Sequence, residues 1–161
     1  VRNLTLRAIS VILSCLLFFC AVPQAQASTP KLPVAPIWTG CAQSAKEEKR
    51  VRDFGNGHTL NCGNNSWGYR HIVGRHKNDF AENAATFLTA RTWRDLADFV
   101  MLWTIDDADR VRPAGGGKFC HDRYFYLANS HGRVVLTQRF IVITNAQQQI
   151  ITAYPSGKSR C

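Results

Sequence analysis

Between Asp79 and Ile105 the apolar residues recur at helical spacing: Phe80, Ala84, Phe87 and Leu88 share one face, while Trp93, Leu96, Ala97, Val100 and Trp103 share another. That rhythm predicts two amphipathic helices, broken near Thr89 to Thr92. Beyond Lys118 the pattern becomes that of strands, over Phe119 to Ala128, Arg133 to Thr144 and Gln149 to Tyr154. The polar turns Asn129-Ser130-His131-Gly132 and Asn145-Ala146-Gln147-Gln148 separate them, which predicts an antiparallel meander. Helices first and strands afterwards give an α+β domain, its N-terminal helices packed on one face of a C-terminal antiparallel sheet. No internal repeat, heptad pattern or low-complexity tract interrupts this scheme.

The N-terminal part reads differently. Arg2 and Arg7 precede an apolar run from Ala8 to Val22, and Ala25-Gln26-Ala27 is a small-x-small cleavage site, so residues 1–27 read as a secretory signal peptide. The run is short for a membrane span, and no stable membrane insertion is expected once the leader is removed. The mature chain is expected to be secreted or periplasmic. Pro30, Pro33 and Pro36 keep Ser28 to Thr39 extended. Gln43 to Asp53 is charged and helix-permissive and ends before Gly55-Asn56-Gly57, which predicts a short helix between two loops, the second carrying Cys62. Residues 28–66 are thus an extension with a short helix, forming one domain with a core over residues 67–161. Within that core, Asp106 to Lys118, with Pro113 and the run Gly115-Gly116-Gly117, reads as a flexible connection in which the glycines make a hinge or turn. It lacks the ordered spacing of a phosphate-binding loop.

Composition adds two constraints. Four cysteines remain after the leader, Cys41, Cys62, Cys120 and Cys161, an even number that in an exported chain implies two disulfide staples. Three connectivities are open. Pairing Cys41 with Cys62 and Cys120 with Cys161 is expected, since the second bridge would tie down the C-terminal residue. No C-x-x-C knuckle supports a zinc site instead. The whole chain carries a formal charge of +9, and removal of the leader leaves eighteen bases against eleven acids. Such a surface favours anionic partners, nucleic acid among them.

The candidate chemistry concentrates in Trp67-Gly68-Tyr69-Arg70-His71-Ile72-Val73-Gly74-Arg75-His76, which places two imidazoles and two guanidinium groups within seven residues. Histidine both takes and gives a proton near neutral pH, and arginine matches phosphate oxygens with a rigid fork of donors. Five residues apart, the histidines lie on different sides of an ideal helix, and a segment part helix and part turn would bring both to one cleft. The spacing is not that of a zinc protease, and no acidic cluster resembles a divalent-metal site, so neither metal nor other cofactor is called for. A second feature is Ile150-Ile151-Thr152-Ala153-Tyr154-Pro155, where strand alternation puts the hydroxyls of Thr152 and Tyr154 on one face.

A segment His-Ile-x-x-Arg-His, two helices and a meander closing on Thr-Ala-Tyr-Pro resembles the bacterial ribonuclease A-like toxin domains at the C-terminus of contact-dependent growth-inhibition proteins. More distantly it is similar to the barnase, EndoU and RelE-type ribonucleases. The resemblance covers Trp67 to Pro155. It implies that His76 and His71 are the acid/base pair, that Thr152 and Tyr154 complete the catalytic site, and that Arg91, or Arg94 in its place, is the helical arginine that binds phosphate. Arg75 and Arg70 are further substrate-binding candidates. This chain departs from the family in being short, exported and disulfide-bonded.

The expected activity is a metal-independent endoribonuclease toxin. The ribose 2′-hydroxyl attacks the adjacent phosphorus and leaves a 2′,3′-cyclic phosphate, with RNA as substrate and an acidic immunity or inhibitor protein as a possible partner. A non-catalytic basic periplasmic or secreted protein, an inhibitor or a binder of anionic polymer, is the alternative. It accounts for leader, charge and disulfides without using the histidines. A cell-wall hydrolase would need a serine or cysteine nucleophile beside a base, and the cysteines are better used as disulfides.

Overall fold

A computed structural model of the chain describes residues 38–85, 92–129, 131–157 and 161. The signal-peptide segment 1–27, Arg91 and the helix-face residues Phe87 and Leu88 lie outside the described residues. Four strands form the meander: β3 (Arg110–Pro113), β4 (Lys118–Ala128), β5 (Val134–Asn145) and β6 (Ile150–Ser156), neighbours in that order and all antiparallel. The polar turns work as short side chains can. Asn129 Oδ1 accepts from the backbone N–H groups of His131 and Arg133, and Asn145 Oδ1 accepts from those of Gln147 and Gln149.

The added strand is β3, where the sequence pattern predicts a loose connection. Its three glycines all take positive φ, 78°, 57° and 68°, and close a hairpin between β3 and β4 through the Ala114 N–H to Lys118 carbonyl bond of 2.9 Å. A charged edge strand of four residues ending in proline has almost no apolar alternation to betray it.

Two helices, α1 (Gly68–Ala85) and α2 (Trp93–Asp106), precede the sheet and pack on it. Thr92 caps α2, its hydroxyl accepting from Asp95 N–H at 3.3 Å and donating to the Asp95 carboxylate at 2.9 Å. Alternation on the strands turns Phe125, Leu127, Phe140, Val142 and Ala153 toward the helices, where they meet Ile72, Phe80, Leu96, Ala97, Val100 and Met101. Phe80 stacks on Phe140, and Phe125 meets Phe140 edge-on. Trp103, expected on the buried face of α2, is 41% exposed, with the Arg123 guanidinium over its ring. Helix α1 begins eleven residues before the predicted start at Asp79 and takes in the whole histidine segment.

The expected short helix over Gln43 to Asp53 is replaced by turns followed by β1 (Arg50–Gly55), which forms a hairpin with β2 (His58–Asn61). The Gly55-Asn56-Gly57 turn has positive φ throughout. A helix here would have had no apolar stripe to bury, and an isolated turn or two of helix does not support itself. As a hairpin, β1 sends Val51 and Phe54 and β2 sends Leu60 into the common core. The hairpin is fastened further by Arg52, which donates at 2.7 Å to the buried carboxylate of Asp98 on α2; that carboxylate also accepts from Trp38 Nε1 at 2.8 Å. Both disulfides pair as expected, Cys41 with Cys62 and Cys120 with Cys161. Among the described residues no helix is long and apolar enough to cross a membrane.

Candidate active site

The loop leading into α1 can be built only with glycine at two points. At Gly63, φ +57°, a Cβ would stand 2.0 Å from the Trp67 carbonyl oxygen, and at Gly68, φ +75°, it would stand 2.7 Å from that of Asn61. Arg70 then locks the loop. Its guanidinium donates to the carbonyls of Gly63, Ala42, Gln43 and Ala45, so this candidate substrate ligand is engaged in holding the start of α1 against the segment bridged by Cys41–Cys62.

One residue on, His71 directs Nδ1 at the Asn65 carbonyl oxygen, 2.8 Å away. A carbonyl only accepts, so Nδ1 carries the hydrogen and Nε2 of the neutral ring holds the lone pair. His76 Nδ1 faces the Asp79 carboxylate at 3.0 Å, which by the same reasoning makes Nδ1 the donor and leaves Nε2 available. Asp79, not singled out by the sequence reading, sits at i+3 on the same helix, a spacing that brings side chains together. Five positions on a helix differ by about 140° around the axis, yet the two imidazoles lean together, with ring centroids 5.6 Å apart and nearly perpendicular planes. Continuous helix therefore brings the pair together, and no intervening turn is needed.

Tyr154 of β6 closes the group from the sheet, its ring stacked on His76 at 5.1 Å with 25° between the planes. Burial raises the pKa of its phenol above the ordinary value of 10.0, so its hydroxyl is a donor at neutral pH. Thr152, two residues earlier on β6, has a buried hydroxyl oxygen without a hydrogen-bond partner. Beside His71 an open cleft of about 300 Å³ is lined by Asn65, Arg70, His71, Gly74 and Arg75. Arg75 is exposed there. Arg94 is placed elsewhere: it bonds to the Tyr69 hydroxyl and lies 5.4 Å over the Trp93 ring. The structure thus unites His71, His76 and Tyr154, puts Arg75 beside His71, gives Arg70 a scaffold role and keeps Arg94 with the aromatic cluster around Trp93.

No family model matches the chain. It is 30% identical over 143 residues to two uncharacterized proteins of Mycobacterium tuberculosis, MT0764 and Rv0739, from two strains of that organism. The alignments take in 78% of this chain and 52% of each relative, so the chain spans about half the length of the curated relatives it matches.

Proposed function

We propose that the protein is an endoribonuclease that cleaves RNA without a metal, by attack of the ribose 2′-hydroxyl on the neighbouring phosphorus. The observation that carries this reading is the pair His71 and His76, 5.6 Å apart, each with Nδ1 held by an oxygen acceptor and Nε2 left for chemistry. In the forward step, His71 Nε2 takes the proton of the 2′-hydroxyl as the O2′–P bond forms. His76, protonated and balanced by Asp79, gives its Nε2 proton to the 5′-oxygen as the P–O5′ bond breaks. The products are a 2′,3′-cyclic phosphate and a free 5′-hydroxyl. Positioned acid/base groups of this kind contribute about 10²–10⁴-fold. The Arg75 guanidinium and Tyr154 hydroxyl donate to the non-bridging oxygens, where charge accumulates, whereas the buried Thr152 hydroxyl supports the strand beneath Tyr154 and does not touch substrate. DNA offers no nucleophile at the 2′ position and is not cleaved by this route.

The two disulfides favour an oxidising compartment. We therefore take the protein to act as a secreted or periplasmic toxin, with an acidic immunity protein as the natural inhibitor of so basic a chain. The test uses the chain in excess chelator. RNA is expected to be cleaved, with products ending in cyclic phosphate by mass spectrometry. Products carrying only 5′-phosphate, or loss of activity restored by magnesium or zinc, would show that water and a metal do the work. Absence of cleavage with retained RNA affinity would favour a non-catalytic binder.

A further inference from the structure

The outer face of the meander is as unusual in composition as the histidine pair. Tyr124 and Tyr126 alternate with the buried Phe125 and Leu127, so they project away from the helices; they are 42% and 71% exposed, with ring centroids 6.2 Å apart. Register places arginines around them on the same face. Arg139 stands opposite Tyr124 with its guanidinium 4.7 Å over that ring, while Arg110 and Arg112 stand opposite Asp122 and Cys120. From Arg110 onward the chain has eight Arg and Lys residues and one acid, Asp122. That acid is fully buried and already bound by Arg139 and by the Cys161 N–H. The face therefore presents aromatic rings and positive charge, with Asp122 withdrawn and the exposed Asp109 carboxylate at its edge occupied in accepting the Tyr124 N–H at 2.7 Å. A protein surface of opposite charge would use the arginines but has no need of two neighbouring tyrosine rings, Tyr126 bare and Tyr124 covered on one side by Arg139. Unpaired nucleobases need both, because every base offers a π-face and every nucleotide a phosphate.

We propose that Tyr124 and Tyr126 form a stacking platform for the bases of single-stranded RNA, with the exposed Arg112 taking an adjoining phosphate and Arg139, held by Asp122, backing the Tyr124 ring. This deepens the ribonuclease reading and rests on it for the identity of the substrate. Tyr124 is two strands from Ser156 of β6, roughly 10 Å at ordinary strand spacing, and Tyr154 lies two residues from Ser156. Bases a few nucleotides from the scissile phosphate would reach the platform, which would hold the strand in place while the histidines act on it.

The experiment is fluorescence anisotropy of the full chain with a labelled 2′-O-methyl octauridylate, which stacks like RNA but cannot supply the attacking hydroxyl. Tyr126→Ala is expected to weaken binding at least about tenfold, Tyr126→Leu to weaken it as much, and Tyr126→Phe to restore it. Arg112→Gln is expected to flatten the dependence of log K on log salt by about 0.7. Folding is monitored by thermal unfolding, which so exposed a side chain should not move. Equal affinity for Tyr126→Ala and wild type, or full rescue by leucine, would overturn the platform. So would failure of the wild type to bind any oligonucleotide, which would point to a protein occupant. Binding that obeys these shifts in a protein that cleaves no RNA would uphold the platform and sink only the catalytic reading.

Discussion

Replacing His76 by alanine removes the proposed acid, and kcat/KM for RNA is expected to fall by about 10²–10⁴-fold. The structure also ranks its neighbours. The Asp79 carboxylate is 3.0 Å from His76 Nδ1, but its side chain is 49% exposed, so solvent screens the pair, and exposed ion pairs contribute about 0–1 kcal/mol. With a factor of ten for each ~1.4 kcal/mol, Asp79→Asn should cost at most about fivefold. Tyr154→Phe keeps the stack on His76 and deletes one hydrogen bond to a charged phosphate, a loss of about 1.5–3 kcal/mol, or roughly ten- to a hundredfold. The assay is initial-rate cleavage of a fluorogenic oligoribonucleotide in chelator, with thermal unfolding of each variant. Loss of the ring stack in His76→Ala costs about 0.5–1.5 kcal/mol, a few degrees in Tm, so the variant should remain folded. A folded His76→Ala protein within twofold of wild-type activity removes His76 from the reaction. If Asp79→Asn is as damaging as His76→Ala, the two act as one tightly coupled unit, and the screening argument is wrong.

Three further outcomes test the frame around the site. Opening Cys41–Cys62 or Cys120–Cys161, which span 21 and 41 residues, should lower stability by about 3 and 4 kcal/mol respectively on loop entropy; equal Tm with and without reductant, with thiols shown to be free, would contradict this. Asp98→Ala leaves Arg52 and Trp38 Nε1 without their acceptor and should cost about 3–5 kcal/mol in denaturant unfolding, whereas a loss under 1 kcal/mol would mean that the hairpin is held by its apolar residues alone. Burial holds both His58 and His121 below 6.5, and the neighbouring His58 charge lowers His121 further. Below pH 6.5 the unfolded chain therefore binds protons that the folded chain refuses, so stability is full above that pH and declines until the pH falls through the depressed folded values; a His58→Gln, His121→Gln double variant should flatten this acid slope, and an unchanged slope would assign it to other groups.

Elements whose residues carry their own reason to form were legible in advance. The alternation of β4, β5 and β6, the asparagine turns, the apolar stripe of α2 and four cysteines in two staples each follow from local period or chemistry. The two histidines, Tyr154 and Thr152 were also visible as residue types suited to proton transfer and phosphate contact. Hidden from view were the features that depend on distant partners. Arg50 to Gly55 has the charge of a surface helix and becomes a strand because β2 offers a ladder and Asp98, forty-six residues beyond Arg52, offers a buried counter-charge. Arg70 and Arg75 are chemically identical in the chain; four carbonyls consume one and an open cleft exposes the other. Sequence alone thus determined the class of the fold and the inventory of reactive groups, because both depend on side-chain type and near-neighbour spacing. Only the tertiary structure decided which groups meet, because stacking Tyr154 on His76 requires α1 to dock beside β6, and that docking is set by the burial of Ile72 and Phe80 in a core assembled from the whole chain.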